Sequence, residues 1–254
     1  MAITDSTQRF SSRVEHYVRA RPGYPPEVLR LLELECGLTS NSVLADIASG
    51  TGIFTRLLLE HGNRVFGVEP NAEMRRAGEE FLAGFPKFVS VAGTAEATTL
   101  PEHSIDLATA AQAAHWFDAA SARREFVRIL KPAGWCVLLW NERNTEASPF
   151  MRAYEELLRS FGTDYQDVRH QHTGQSIASF YSPSSFRERV FDNQQALDYE
   201  GLEGRLVSSS YMPQAGDPNY KEMVAELRRI FDARQSNGQV AMEHKTRVYY
   251  GKLD

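Results

Sequence analysis

The stretch Val43-Leu44-Ala45-Asp46-Ile47-Ala48-Ser49-Gly50-Thr51-Gly52-Ile53-Phe54 decides how this chain is read. A short apolar run carrying one acid leads into a string of small residues, Ala48 to Gly52. After it, Ile53, Phe54, Leu57 and Leu58 recur at helical spacing, which predicts a strand, a tight turn and a helix to Glu60. Small residues in such a turn let a ligand approach the backbone, and the helix that follows presents its unpaired N–H groups there. Arg64 to Val68 reads as a second strand with Glu69 at its end, where a carboxylate accepts hydrogen bonds from both hydroxyls of a ribose. Together the two segments describe a nucleoside site at the carboxyl edge of a parallel sheet. Taken singly, each reads equally well as an ordinary strand-to-helix turn beside an exposed acid.

Outward from this pair the same alternation continues, and alternating short apolar runs with helices imply a parallel sheet. Asn71 caps a helix to about Ala83, Lys87 to Val91 is a third strand and Ser104 to Ala110 a fourth. A helix runs from beyond Asp118 to about Leu130. The break Pro132-Ala133-Gly134 then leads into a fifth strand, Trp135 to Trp140, apolar throughout and therefore expected to be buried on both faces. The pattern stops after Asn141. Asn144 to Ser210 mixes a helix, Pro149 to Phe161, with polar loops and many rings (Phe150, Tyr154, Phe161, Tyr165, Phe180, Tyr181, Phe186, Phe191), and reads as an inserted lid. A helix from Pro218 to Ala233, the turn signal Asn237-Gly238 and a strand from Val240 to Leu253 close the chain, with a short strand near Ala196 to Tyr199 expected to pair with the last one. At the other end, Arg9 to Arg19 and Pro26 to Cys36 read as helices separated by Arg21-Pro22-Gly23-Tyr24-Pro25-Pro26 and expected to cover the active edge of the sheet. The resulting division is 1–40, 41–143, 144–210 and 211–254.

Composition bounds the partners. At roughly 150 residues per domain, 254 residues suit one enlarged α/β domain or a core with an appended lobe. The net charge of −5 supplies no basic field for a phosphate backbone, so nucleic acid is not the expected partner. Hydrophobic content of 42% and charged content of 24% are those of a globular chain. No apolar run approaches the roughly 18–20 residues that span a bilayer, so no membrane association is expected. The opening MAITDSTQRFSSR has no basic-then-apolar export pattern, and a cytoplasmic address is the expectation. Cys36 and Cys136 read as small buried apolar residues.

Two nucleoside cofactors compete for the site, a nicotinamide dinucleotide and S-adenosylmethionine. The dinucleotide fingerprint G-x-G-x-x-G is incomplete here, with Thr55 at its third glycine. Asp46 separates the two: a carboxylate before the turn repels a pyrophosphate but accepts hydrogen bonds, directly or through water, from an ammonium group.

On these residues Val43 to Trp140 resembles the core of the class I S-adenosylmethionine-dependent methyltransferases, whose signature is an acid followed by G-x-G-x-G. Here the signature stands as Asp46-Ile47-Ala48-Ser49-Gly50-Thr51-Gly52, with Ala48 at the first glycine, a change of one methyl group. Glu69 is similar to the family's ribose-binding acid, Gly93-Thr94-Ala95-Glu96 to its adenine-contacting segment with Thr94 at a common Asp, and Lys131-Pro132-Ala133-Gly134 to the turn before its fifth strand. The resemblance implies an α/β, Rossmann-like, doubly wound sheet of seven strands, mostly parallel with an antiparallel last strand, plus an inserted lid or cap. It also implies S-adenosyl-L-methionine as cofactor, held by Asp46, Ala48, Ser49, Gly50, Thr51, Gly52, Glu69, Pro70, Met74, Thr94, Ala95, Glu96 and Ala111.

A narrower resemblance lies in Gln112-Ala113-Ala114-His115-Trp116-Phe117 and Tyr17-Val18-Arg19-Ala20-Arg21-Pro22-Gly23-Tyr24-Pro25, which look like small-molecule methyltransferases of the trans-aconitate and ubiquinone-biosynthesis type. Carried over, Gln112, His115, Tyr17 and Arg21 join the cofactor pocket. His115 is then the candidate base or positioning group and Tyr17 a second catalytic candidate, while a histidine that merely packs or bonds a neighbour explains His115 as well. The implied reaction is in-line methyl transfer to a small-molecule acceptor through oxygen, carbon or nitrogen. The alternatives are a protein or RNA methyltransferase on the same core, with Arg123, Arg124 and Arg128 as a local basic patch, and a protein that binds S-adenosylmethionine without chemistry. Arg143, Arg152 and Arg169 are candidates to clamp a substrate carboxylate, though isolated arginines are usually solvated. His170 and His172 near Asp164 and Asp167 lack the spacing of a metal site, and no metal is expected.

Overall fold

The computed structural model describes residues 21–163, 174–209 and 211–253. The chain alternates β1 (Val43–Ile47), α2 (Ile53–Glu60), β2 (Arg64–Val68), α3 (Ala72–Phe81), β3 (Phe88–Val91), β4 (Ile105–Ala111), α4 (Ala119–Ile129) and β5 (Leu130–Arg143), preceded by α1 (Glu27–Cys36). α5 (Pro149–Phe161), α6 (Gly174–Tyr181), β6 (Phe186–Leu197), α7 (Tyr199–Val207), α8 (Tyr220–Arg234) and β7 (Val240–Gly251) follow. The seven strands form one sheet in the order β3-β2-β1-β4-β5-β7-β6. β1 to β5 pair in parallel, and β7 lies antiparallel between β5 and β6. The doubly wound sheet with one antiparallel strand is therefore the observed fold.

Helix starts follow from side chains that accept the unpaired N–H groups of a first turn. Asn71 takes the N–H groups of Glu73 and Met74, Asp118 that of Ser121, and Ser148 that of Met151 ahead of Pro149. Burial then wraps both faces of the sheet. On one face Val28, Leu32, Phe54 and Leu58 from α1 and α2 pack on Leu44, Leu107, Leu139 and Val248. On the other, Phe126 and Ile129 of α4 and Phe180 and Tyr181 of α6 pack on Ala45, Ala108, Leu138 and Trp140. A third cluster joins Tyr154 and Leu158 of α5, Leu202 and Leu206 of α7, and Leu227 and Phe231 of α8 to Val240 and Met242 at the far end of β7.

The stretch 144–210, read above as one lid, divides between these clusters. α6 and β6 belong to the sheet and its cover, whereas α5 and α7 form a helical lobe together with the C-terminal α8. The expected short strand at 196–199 is instead the twelve residues Phe186–Leu197, ending where α7 begins. Its sequence FRERVFDNQQAL is polar because β6 is an edge strand, and such strands carry charges on their exposed side. β5 likewise runs on to Arg143 because β7 pairs with it residue by residue to Arg143 opposite His244. Cys36 and Cys136 are buried and unbridged. Among the described residues no helix is long and apolar enough to cross a membrane.

Candidate active site

Asp46 lies on the α1/α2 face of the sheet, one residue before the carboxyl end of β1, and is 1% exposed. Two hydroxyls hold it: Thr55 Oγ1 of α2 donates to Oδ2 at 2.6 Å, and Thr109 Oγ1 of β4 donates to Oδ1 at 2.9 Å. Burial pushes the carboxyl up to about 6, and nearby Glu69 acts in the same direction against the two hydroxyls. The result is a carboxylate fixed in orientation and poised to gain from a cation placed above it.

The turn after β1 is left-handed at Ala48 (φ 55°), Gly50 (φ 57°) and Gly52 (φ 86°). A Cβ on Gly52 would sit 2.6 Å from Leu82 Cδ1, so any other residue there would have to displace Leu82 as well as adopt a left-handed backbone. α3 presses on the same turn through Gly78, where a Cβ would stand 3.2 Å from the Gly50 carbonyl oxygen. Glu69, 7% exposed, ties the turn to α3, since Oε2 accepts from Gly50 N–H at 2.8 Å and Oε1 from Asn71 N–H at 2.9 Å. Burial raises its pKa against those two hydrogen bonds and the Arg75 charge. Met74 is buried beneath Gly50, with Cε at 3.5 Å from the position of a Cβ there.

The remaining candidates lie on the segments that follow β3 and β4. Thr94 Oγ1 accepts from Ala97 N–H, Ala95 is buried, and Glu96 Oε1 accepts from Asp118 N–H at the cap of α4. Gln112, in the left-handed region at φ 60°, leaves the end of β4 and donates through Nε2 to the Asn141 carbonyl. His115 stands on a single 3-10 turn, Ala114–Trp116, with its ring 4.6 Å from that of Trp116. Tyr17 lies outside the described residues, as do Arg169, His170, His172, Asp164 and Asp167. Arg152 is exposed and caps the Glu146 carbonyl. Arg128 is bound by Glu125 through two nitrogens and Arg124 by the Ser121 hydroxyl, so two members of the suggested basic patch already have partners.

Sequence reasoning passed over a polar band further along the same sheet face. Asn141 and Arg143 of β5 stand opposite Thr246 and His244 of β7, which stand opposite Phe191 and Asn193 of β6. Asn141 Oδ1 accepts from Thr246 Oγ1 and Asn193 Nδ2, and the Nδ2 groups of both asparagines donate to the Gly23 carbonyl at 3.0 and 2.9 Å. Gln195 Nε2 reaches the Arg21 carbonyl at 3.5 Å. The strap ahead of α1 is thereby pinned over the band, which separates the apolar cluster of α1 and α2 from that of α5, α7 and α8. Arg21 thus faces this band. A cavity of about 370 Å³ opens at the same end of the sheet, lined by Asn144, Ala147, Asn193, Gln194 and His244 and by the carboxylates Asp192 and Glu243. Alternation along β5, β6 and β7 was the available signal, because Asn193 and Gln195 in β6, His244 and Thr246 in β7, and Asn141 and Arg143 in β5 are each two apart and so put polar groups on one face.

The set fits a nucleoside bearing an ammonium group. Two fixed carboxylates flank a backbone turn kept clear by glycine, and Thr51 Oγ1, in a residue 1% exposed, has no hydrogen-bond partner among the described residues. Residues 45–138 match the family model for the methyltransferase domain. An uncharacterized methyltransferase-like protein of Schizosaccharomyces pombe is 31% identical over 98% of this chain and 97% of its own length. An uncharacterized methyltransferase of Mycobacterium tuberculosis is 37% identical over 64% of either chain, so the match spans just under two-thirds of that relative. Among solved structures, a candidate type II methyltransferase from Anaeromyxobacter dehalogenans superposes with a TM-score of 0.65 at 20% identity, covering 92% of this chain and 98% of that one, a likeness of fold. With an S. pombe relative matched over nearly its whole length and the acid, glycine turn and second acid in place, the chain belongs to the class I S-adenosylmethionine-dependent methyltransferase family.

Proposed function

We propose that this protein transfers a methyl group from S-adenosylmethionine to a small-molecule acceptor, with oxygen as the accepting atom ahead of carbon and nitrogen. The carrying observation is that the Asp46–Glu69 site and the polar band of Asn141, Thr246 and His244 share one face of the sheet, covered by the strap at residues 21–24. When bound, the cofactor supplies an electrophilic methyl group on a sulfonium. Asp46 would take the ammonium and Glu69 the ribose hydroxyls, while the turn from Ala48 to Gly52, built of small residues, would lie against the nucleoside. Gln112 links this half to the acceptor half through Asn141. Holding donor and acceptor in line and excluding water contributes up to roughly 7–11 kcal/mol of barrier lowering, so the chain needs no nucleophile of its own.

His115, on the turn after β4, would take a proton from a hydroxyl or amine acceptor or orient it. The engagement of Arg124 and Arg128 with their own neighbours favours a small molecule over a nucleic acid. The test is formation of S-adenosylhomocysteine from S-adenosylmethionine with panels of small acids, phenols and amines, beside a peptide mixture and total RNA. Turnover with a small acceptor, its kcat at saturating S-adenosylmethionine reduced at least about tenfold by His115→Ala, is the expected result. Turnover confined to peptide or RNA would contradict the small-molecule assignment, and full activity of His115→Ala would remove its role.

A further inference from the structure

Among the described residues, six other than glycine hold a left-handed backbone, and two of them, Ala48 and Gln112, stand just beyond the carboxyl ends of the neighbouring strands β1 and β4. Ala48 belongs to the cofactor turn. At Gln112, with φ 60°, glycine would relieve the conformation and asparagine would tolerate it better, and an outlier of this kind persists where its surroundings over-determine it. Two hydrogen bonds to β5 do so: the Gln112 N–H donates to the Leu139 carbonyl at 2.9 Å, and Nε2 donates to the Asn141 carbonyl at 3.2 Å. Any residue but proline could make the first bond. The second is what glutamine adds.

That second bond fixes the amide. A backbone carbonyl only accepts, so the group facing Asn141 is the NH2, and Oε1 is turned away from that carbonyl. No described residue donates to Oε1. Asn141 is itself held on three sides, since its Oδ1 accepts from Thr246 Oγ1 and Asn193 Nδ2 and its Nδ2 donates to the Gly23 carbonyl. β4 lies between β1 and β5, and its Thr109 holds Asp46. Gln112 follows Thr109 by three residues, roughly 10 Å of extended chain, and His115 follows Gln112 by three more on the 3-10 turn. An oriented amide oxygen and an imidazole thus share the short segment at the exit of β4, on the side of β5.

We propose that Gln112 reads the methyl acceptor rather than the cofactor: its Oε1 accepts a hydrogen bond from the accepting atom, so the acceptor is a neutral X–H compound, an alcohol, a phenol or an amine, and neither a carboxylate nor an enolate carbon. The proposal rests on the methyl-transfer reading. An oxygen that can only accept pairs with O–H or N–H and is left unpaired by an atom that bears no hydrogen. Holding the hydrogen of X–H orients X and leaves a lone pair free for the methyl carbon. As the X–CH3 bond forms, the CH3–S bond breaks and its electron pair stays on sulfur, giving S-adenosylhomocysteine. The methylated atom, now positively charged, releases its proton to His115 or to water. An amide oxygen is too weak a base to keep that proton, so Gln112 orients the acceptor and does not deprotonate it.

The experiment measures S-adenosylhomocysteine formation by the full chain with alcohols, phenols, amines and carboxylic acids matched in carbon skeleton. Transfer is expected to at least one alcohol, phenol or amine and to none of the acids, and the class that reacts identifies X as oxygen or nitrogen. Gln112→Gly suits the left-handed backbone and should unfold at a urea concentration close to that of the unmodified protein. Its kcat/KM for that acceptor should fall at least about tenfold, with the dissociation constant of S-adenosylhomocysteine within about twofold. Gln112→Asn tolerates the same backbone with its amide one methylene short, and should show the same loss if the glycine variant does not fold. Transfer to acids alone, transfer to no X–H compound, or undiminished kcat/KM in both variants overturns the proposal. Weakened S-adenosylhomocysteine binding in the variants overturns it too, because the side chain then serves the cofactor. Failure of the unmodified protein to bind S-adenosylhomocysteine is a separate result and overturns the methyl-transfer reading itself.

Discussion

Asp46 sets the behaviour of the cofactor site with pH. Its carboxyl titrates at about 6 when folded, against 3.8 for the free group, because burial outweighs the Thr55 and Thr109 hydroxyls. The folded protein therefore holds the proton more tightly than the unfolded chain does. Between about pH 4 and 6 this group makes the free protein less stable as the pH rises. Cofactor binding runs the other way, since an ammonium over Asp46 favours the ionised form. The dissociation constant of S-adenosylhomocysteine should be lowest above pH 6 and rise about tenfold from pH 7 to pH 5. Asp46→Asn should bind weakly and lose this pH dependence, and calorimetry at both pH values compares the two proteins. An unchanged profile in Asp46→Asn would mean that another group titrates. At this scale the sequence was informative where chemistry is local: Asp46 and Glu69 are legible as acids at strand ends. Arg205 and His244 were not, because 39 positions separate two residues that only the pairing of β6 with β7 brings to 2.9 Å.

The glycine turn shows how two elements fix a third. α3 lies against it through Gly78, and Leu82 fills the place beside Gly52, so the turn is pressed between its own helix and the next one. Gly52→Ala combines a left-handed φ of 86° with a Cβ at 2.6 Å from Leu82 Cδ1. It should destabilise the protein by about 2–3 kcal/mol, measured by urea unfolding. A loss below about 0.5 kcal/mol would show that Leu82 gives way and the turn is not under compression. β1, β2 and α5 are legible to the residue because their apolar periods are clean and their ends carry a cap or a turn: Val43–Ile47, Arg64–Val68 and Pro149–Phe161 coincide with the expected bounds. β6 was legible only at its final residues. Eleven of its positions before Leu197 are at least partly exposed, so the apolar alternation that betrays a strand is missing, and its partner β7 supplies the order instead.

At the scale of the molecule, the sheet has a cofactor half and an acceptor half. Asp46, Glu69 and Gln112 lie within one residue of the carboxyl ends of β1, β2 and β4, and β5, β7 and β6 carry Asn141, Arg143, His244 and Asn193 further along the sheet. The strap at 21–24 crosses the second half, and the lobe of α5, α7 and α8 walls its far end. This division was only partly legible: the cofactor half is contiguous in sequence from Val43 to Gln112, while the acceptor half is assembled from the strap, the end of β5, β6, α7 and β7. Everything proposed for the acceptor depends on the first half binding its nucleoside. The most direct measurement is calorimetric titration of the purified chain with S-adenosylmethionine and S-adenosylhomocysteine, with NAD as control. The account predicts saturable binding of both sulfur nucleosides at micromolar concentration, about 2.7 kcal/mol of added folding stability at a hundredfold excess over the dissociation constant, and none from NAD. Binding of NAD in their place, or of none of the three, would contradict it.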